Sequence, residues 1–288
     1  MSTPVPETPD PASPSRPRRR PFDAVWSCLL VGLVGASLAA AWLAPCDPLM
    51  QLPDGLSPFG TPLAPSLSHP LGTDELGRDV LSRLLHGGKL SLLIAAGSTL
   101  LAGALGLLLG LSAGYWGRGV DQGVMRATEV FMAFPAILLA VALAAVLPPG
   151  PWSAVLTLGM VGWPGLARMV RGQVLALKEQ EFIEASRALG AGHLRILSEH
   201  VWPNVRPVAM TLLALKFADM LLMEAALGFL GLGVPPPTPT WGAMVGEAKA
   251  YFFHAPWLGL PAGAAIFLTV LAVNMMADRR LARGTSRF

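Results

Sequence analysis

The chain has 288 residues, 53% of them hydrophobic and only 14% charged, where soluble globular domains carry roughly a quarter charged residues. That balance excludes an ordinary soluble enzyme and makes the spanning helix, about 20 apolar residues across a hydrocarbon core of about 30 Å, the natural unit of structure. The net charge of +3 is no nucleic-acid patch, because most Lys and Arg flank hydrophobic runs and sort by side.

In chain order, the first 21 residues hold seven prolines and no apolar run, the composition of a disordered tail, closed by Arg18, Arg19 and Arg20. Residues 24–46 carry no charge and form the first predicted span. The run ends in Leu43-Ala44-Pro45-Cys46, which has the outline of a lipoprotein signal, but Pro45 stands where that cleavage wants a small residue, so the helix is read as uncleaved. Cys28 and Cys46 on one helix would lie about 27 Å apart, too far for a disulfide. Cys46 sits where the span meets the outer face, as a reactive thiol or an inert interfacial residue.

A long outer connection, Pro45 to Lys89, leads to a second uncharged span at 90–117. Inside it, Gly110-Leu111-Ser112-Ala113-Gly114 matches the G-x-S-x-G nucleophile pattern, which requires a strand-to-helix elbow and a base. On a helix, Gly106, Gly110 and Gly114 instead form a flat stripe for close packing. From Val130 to Ala167 there are 38 uncharged residues interrupted by Pro148, Pro149, Gly150 and Pro151, which reads as spans three and four joined by a tight hairpin. Arg126 and Glu129, at the inner end of span three, are given no role, since snorkelling accounts for Arg126. A long inner connection, Arg168 to Pro207, precedes span five from Val208 to about Val234. Residues 255–277 form the last span.

Six spanning helices follow, an all-α membrane protein. Of the 21 Lys and Arg, sixteen fall on the segments that share a side with the N-terminus, Arg78, Arg83, Lys89 and Lys249 fall on the other, and Lys216 lies within a span. That asymmetry predicts both termini in the cytoplasm. The predicted organisation is a tail at 1–21, a first helix and outer loop at 22–88, a five-helix core at 89–280 with a cytoplasmic loop at 171–207, and a second tail at 281–288.

In the inner loop, Glu181–Leu189 can form a short helix with Phe182, Ala185, Ser186 and Leu189 on one face, small in the middle and large at both ends. Gly190 ends it. Spacing alone leaves two readings, a surface helix lying on its own span ends or a docking helix for another protein. In span five an unpaired charge at the bilayer centre costs about 2.5–3.5 kcal/mol, so Lys216, Asp219 and Glu224 must face protein or water. Lys216 and Asp219 are placed to pair; the three either line a translocation path or fix helix packing. His69, His86, His193, His200 and His254 are scattered without metal-ligand spacing. No Gly-rich loop followed by Lys-Ser or Lys-Thr is present, so the chain has no ATP site of its own.

Glu184-Ala185-Ser186, Gly190 and then His200-Val201-Trp202-Pro203 resemble the EAA loop of ABC importer permeases, with Ser186 where Ala is usual and Trp202 where Leu is typical. His69 to Leu84 (HPLGTDELGRDVLSRL), and Gly228-Phe229-Leu230-Gly231-Leu232-Gly233 followed by Pro236 to Gly242, resemble the second permease subunit of dipeptide, oligopeptide and nickel importers. The resemblance implies the type I ABC importer permease fold and a bacterial-type inner membrane location. It implies a translocation path for di- or oligopeptides, shared with a second homologous permease. It also implies an extracytoplasmic substrate-binding protein and two cytoplasmic ATPase subunits that hydrolyse the ATP, docked through Glu184, Ala185, Ser186, Leu189, Gly190, His200 and Pro203. No catalytic residue, metal or directly bound cofactor is expected. Nickel or another small solute is the alternative cargo. From other classes, an ion-coupled secondary transporter would use Lys216, Asp219 and Glu224 as a relay, without the internal repeat such transporters often carry, and an intramembrane enzyme would use Ser112.

Overall fold

The computed structural model describes residues 21–285; the segment read as the N-terminal tail, up to residue 20, and residues 286–288 lie outside the described residues. Helix α1 (Pro21–Leu38) and one further turn, α2 (Ala40–Leu43), make the first apolar segment. Residues 44–79 follow without a strand, tied by isolated bridges between Leu56 and Pro62 and between Thr73 and Asp79. Helix α3 (Val80–Trp116) is then 37 residues long, about 56 Å at 1.5 Å per residue.

α3 starts ten residues before the span predicted from charge-free runs, so residues 80–88 belong to the helical core and not to the outer loop. Asp79 caps it, its carboxylate accepting from the Ser82 amide, which satisfies an otherwise orphaned donor. Arg83 was no barrier to the helix because its charge is met by acidic partners.

Span three also differs from expectation. An amphipathic helix α4 (Arg118–Met132) and an apolar helix α5 (Ala136–Val146) replace one straight span, meeting at an angle of 87°. Pro135 causes the break, having no amide hydrogen and disfavouring helical backbone in the residue before it. After the hairpin at 147–150, α6 (Pro151–Lys178) begins with proline in its first turn, where the missing donor costs nothing. It runs eleven residues past the predicted end of span four, because Leu166, Val170 and Val174 continue a buried i, i+4 stripe.

The inner connection is correspondingly shorter than 171–207. It holds α7 (Glu181–Ala188), one turn α8 (His193–Arg195) and a π-helical stretch, Ile196–Val201, that runs directly into α9 (Trp202–Phe229). Pro203 removes a backbone donor where these turns join, and Pro207 removes one inside α9. A short helix α10 (Trp241–Glu247) and the last helix α11 (Leu260–Thr285) complete the chain, α11 running into the segment read as a C-terminal tail.

Three helices, α3, α6 and the 260–277 part of α11, are each long and apolar enough to cross a membrane, and the bent α4–α5 pair makes a fourth candidate. The apolar part of α1 is shorter and α9 carries four charges, Arg206, Lys216, Asp219 and Glu224, which is why composition alone does not single them out. The bundle is organised on the α3–α6 contact. A Cβ built on Gly106, Gly110 or Gly114 would lie 2.6–2.8 Å from Leu166, Ala167 or Val174, so these glycines let the helices approach face to face. Ser112 between them donates its hydroxyl to the Leu109 carbonyl, an ordinary mid-helix arrangement and no nucleophile elbow.

Candidate functional site

At the end of the bundle bearing α7, the tips of α3, α6 and α9 form a platform. Tyr115, Val170, Val174, Ile196, Val201, Val205 and Ala209 pack there into one apolar cluster, and Ile183 of α7 is buried in it with 0% exposure. One side chain therefore anchors an eight-residue helix that could not persist alone. Phe182, Glu184, Ala185 and Leu189 point away from the platform and are exposed, Leu189 at 89%. Of the face predicted from spacing, Phe182, Ala185 and Leu189 are thus exposed, while Ser186 is half-buried.

The ends of α7 are fixed as well. Glu181 and Glu184 lie in its first turn and Arg187 in its last, each sign matching the helix dipole. Gly190 adopts φ +82°; its amide donates to the Arg187 carbonyl, and the Ala191 amide to that of Ser186. This pair of bonds is a Schellman closure, which a left-handed residue makes possible. Ser186 Oγ lies 3.1 Å from His200 Nε2, and the His200 ring meets Phe182 edge to face at 6.1 Å between centroids. Asn204 donates to the His200 carbonyl, and Pro203 lies in the first turn of α9. The predicted docking residues Glu184, Ala185, Ser186, Leu189, Gly190, His200 and Pro203 therefore sit on α7, on its closing turn and on the π-helical return that supports it.

Sequence reasoning missed what seats this loop. Ile183 is the anchor; Tyr115 Oη and His193 Nδ1 share a hydrogen bond at 2.9 Å; Lys178 donates to the Tyr115 carbonyl at 2.7 Å; and Arg171 is paired with Asp121 of α4, Nη2 to Oδ2 at 2.6 Å. The available signal was the i+4 apolar stripe of α6 running on past Arg168, which placed Arg171 and Lys178 on a helix.

At the opposite end, the 69–84 segment and α10 come together around buried ions. Arg78 Nε lies 2.7 Å from Asp74, Arg83 Nε 3.2 Å from Asp74, and Arg83 Nη2 2.6 Å from Glu247 of α10. His69 Nδ1 stands 3.4 Å from Asp79. Burial, reinforced by the neighbouring Glu247 and Asp74 carboxylates, holds the Glu75 carboxyl above its ordinary value of 4.5 against the pull of Arg78 and Arg83. Trp241 is 1% exposed, its indole donating to the Leu84 carbonyl and its amide to Ser91 Oγ. The two motifs, far apart in the sequence, are thus halves of one joint.

In α9, Lys216 and Asp219 pair at 3.1 Å, with the Asp219 side chain 58% exposed. Glu224 does not join them. It is 3% exposed, enclosed beside the hydroxyls of Ser91 and Thr240, with no hydrogen bond of normal geometry to either oxygen. The three charges therefore differ in environment, Glu224 enclosed within this chain and Asp219 exposed. Cys46 is half-buried with its thiol 3.5 Å from Ser82 Oγ. Among the described residues no group of three His, Cys, Asp or Glu side chains could hold a metal ion.

A helix bundle that displays one short, rigidly seated helix on a platform of span ends has the architecture of a membrane permease of the type I importer fold. A solved chain titled as the MetNI methionine ABC transporter in inward-facing conformation matches with a TM-score of 0.57 at 22% identity, covering 68% of this chain and 93% of that one. The chain belongs to the family described as binding-protein-dependent transport system inner membrane component, whose model matches residues 106–284. It is 42% identical over 247 residues to the di/tripeptide transport system permease protein DppC of Pseudomonas aeruginosa (strain UCBPP-PA14), covering 85% of this chain and 82% of that protein. The nickel transport system permease protein NikC of Escherichia coli (strain K12) is 38% identical over 259 residues, covering 88% and 91%. The dipeptide transport system permease protein DppC of Alkalihalophilus pseudofirmus is 41% identical, covering 74% and 70%.

Proposed function

We propose that this chain is a permease subunit of an ATP-driven importer of di- or oligopeptides, building the translocation path with a second, homologous permease. The observation that carries the reading is α7. Its outward face of Phe182, Ala185 and Leu189 is exposed on a loop that Ile183 and the Gly190 closure hold rigid. Exposed apolar groups on a fixed helix suit a partner's groove, and the family to which the chain belongs supports cytoplasmic ATPase subunits as that partner. ATP is hydrolysed by those subunits, since the chain has no phosphate-cradling loop. The positive asymmetry of the sequence supports α7 and both termini on the cytoplasmic side, and the 44–79 loop outside, towards a substrate-binding protein.

Peptide cargo is supported by the two relatives named for di- and tripeptides. The alternative, nickel, is supported by a relative named for nickel transport that matches over 91% of its own length. For the path, the exposed Asp219 with its partner Lys216 is the part of α9 available to a second permease or to substrate. The test is co-purification. From its native membrane in mild detergent, wild-type protein should bring a second permease and ATPases, and Glu184→Arg should lose the ATPases alone. Purification of both forms without partners would refute the proposal.

A further inference from the structure

Helix α3 ends on the platform beneath α7, and its last residues are held by the loop's own groups. Tyr115 is 5% exposed, yet its phenol oxygen reaches His193 Nδ1 at 2.9 Å, with the two rings edge to face at 5.7 Å. Lys178, the last residue of α6, donates to the Tyr115 carbonyl at 2.7 Å and stands 5.9 Å from the Tyr115 ring centroid. A cation at these terminal carbonyls satisfies acceptors that a helix end leaves orphaned and complements its dipole. His193 opens the return segment that carries His200, and His200 touches Ser186 and Phe182 of α7. The other end of α3 is capped by Asp79 and carries Arg83 in the ion cluster. One uninterrupted helix thus joins the outer loop to the segment that supports α7.

We infer that Tyr115, His193 and Lys178 are positioning residues that fasten the docking loop to α3, so that movement of the ATPases reaches this helix as well as α9. The inference rests on the docking reading of α7. The Tyr115–His193 bond is the element specific to it: where burial served packing alone, phenylalanine would fill the site without a hydroxyl that needs a partner.

The test uses the whole importer, with its second permease, ATPases and binding protein, in proteoliposomes. The readout is peptide taken up per ATP hydrolysed, alongside ATPase retention on purification. Losing one hydrogen bond of typical net strength corresponds to about a 5-fold change. Tyr115→Phe and His193→Leu should each lower uptake per ATP about 5-fold and keep the ATPases bound. The double variant should do no worse than either single one, because both remove the same bond. His193→Gln, which can still share a hydrogen bond with the phenol, should stay near wild type. An unchanged ratio in both single variants, an additive double variant or loss of ATPases from Tyr115→Phe would overturn the inference. The docking reading is checked apart from it: if Glu184→Arg retains the ATPases, that reading fails whatever Tyr115 does.

Discussion

Ile183 should control whether α7 exists as a docking surface at all. Replacing it with Ala removes three carbons from a side chain with 0% exposure. At about 0.8 kcal/mol per buried carbon this is about 2.4 kcal/mol of transfer free energy, and the cavity left in the platform cluster raises the loss to about 3 kcal/mol. Eight residues cannot hold a helix unaided, so the loss falls on local opening of the loop while the spans stay folded. The amides of Leu189, Gly190 and Ala191, which close the helix on Ala185, Arg187 and Ser186, report it directly. Their hydrogen exchange should accelerate about 150-fold in Ile183→Ala and about 5-fold in Ile183→Val, which costs about 1 kcal/mol. Wild-type exchange rates in both variants would mean that something other than this anchor seats α7.

At the opposite end, Arg83→Met should destabilise the protein by about 3 kcal/mol, because it leaves Glu247 and Asp74 with Arg78 as their one remaining cation among the described residues; thermal unfolding in detergent with an unchanged midpoint would contradict the ion cluster. Glu75 is held above its ordinary pKa, so its ionisation opposes folding: its favourable contribution is complete below the unfolded value and is lost as pH rises through the folded one. Glu75→Gln should therefore raise the unfolding midpoint at pH 7.5, and the gain should vanish on approaching pH 4; an equal gain at both values would refute the assignment.

Much of this arrangement was legible from charge-free runs, since a membrane makes uncharged length the dominant signal. The Gly106, Gly110 and Gly114 stripe and the terminating Gly190 also followed from spacing. Where the reading failed, tertiary pairing had cancelled the signal it used. Lys89 and Arg168 bounded the apolar runs in the sequence, but both stay exposed on the helix surface, and the next charges along, Arg83 and Arg171, are paired with Glu247 and Asp121, so α3 begins earlier and α6 ends later than charge counting allowed. The bend at Pro135 was hidden because proline inside an unbroken apolar run changes direction without changing composition. Ile183 lies outside the face of Phe182, Ala185, Ser186 and Leu189 picked out by spacing, although it is the one that is buried. Glu224 was grouped with Lys216 and Asp219 by proximity in sequence, but it is enclosed within this chain while Asp219 is exposed.

In the function proposed here, ATP hydrolysis on partner subunits drives uptake through this permease by way of α7. The most direct measurement is accumulation of a labelled dipeptide in proteoliposomes holding the complete importer, with and without ATP, for wild type and Glu184→Arg. The account predicts ATP-dependent uptake by wild type and none by the variant, with no effect of collapsing ion gradients. Uptake that persists without ATP and disappears when the gradient is collapsed would contradict it and make this chain an ion-coupled transporter.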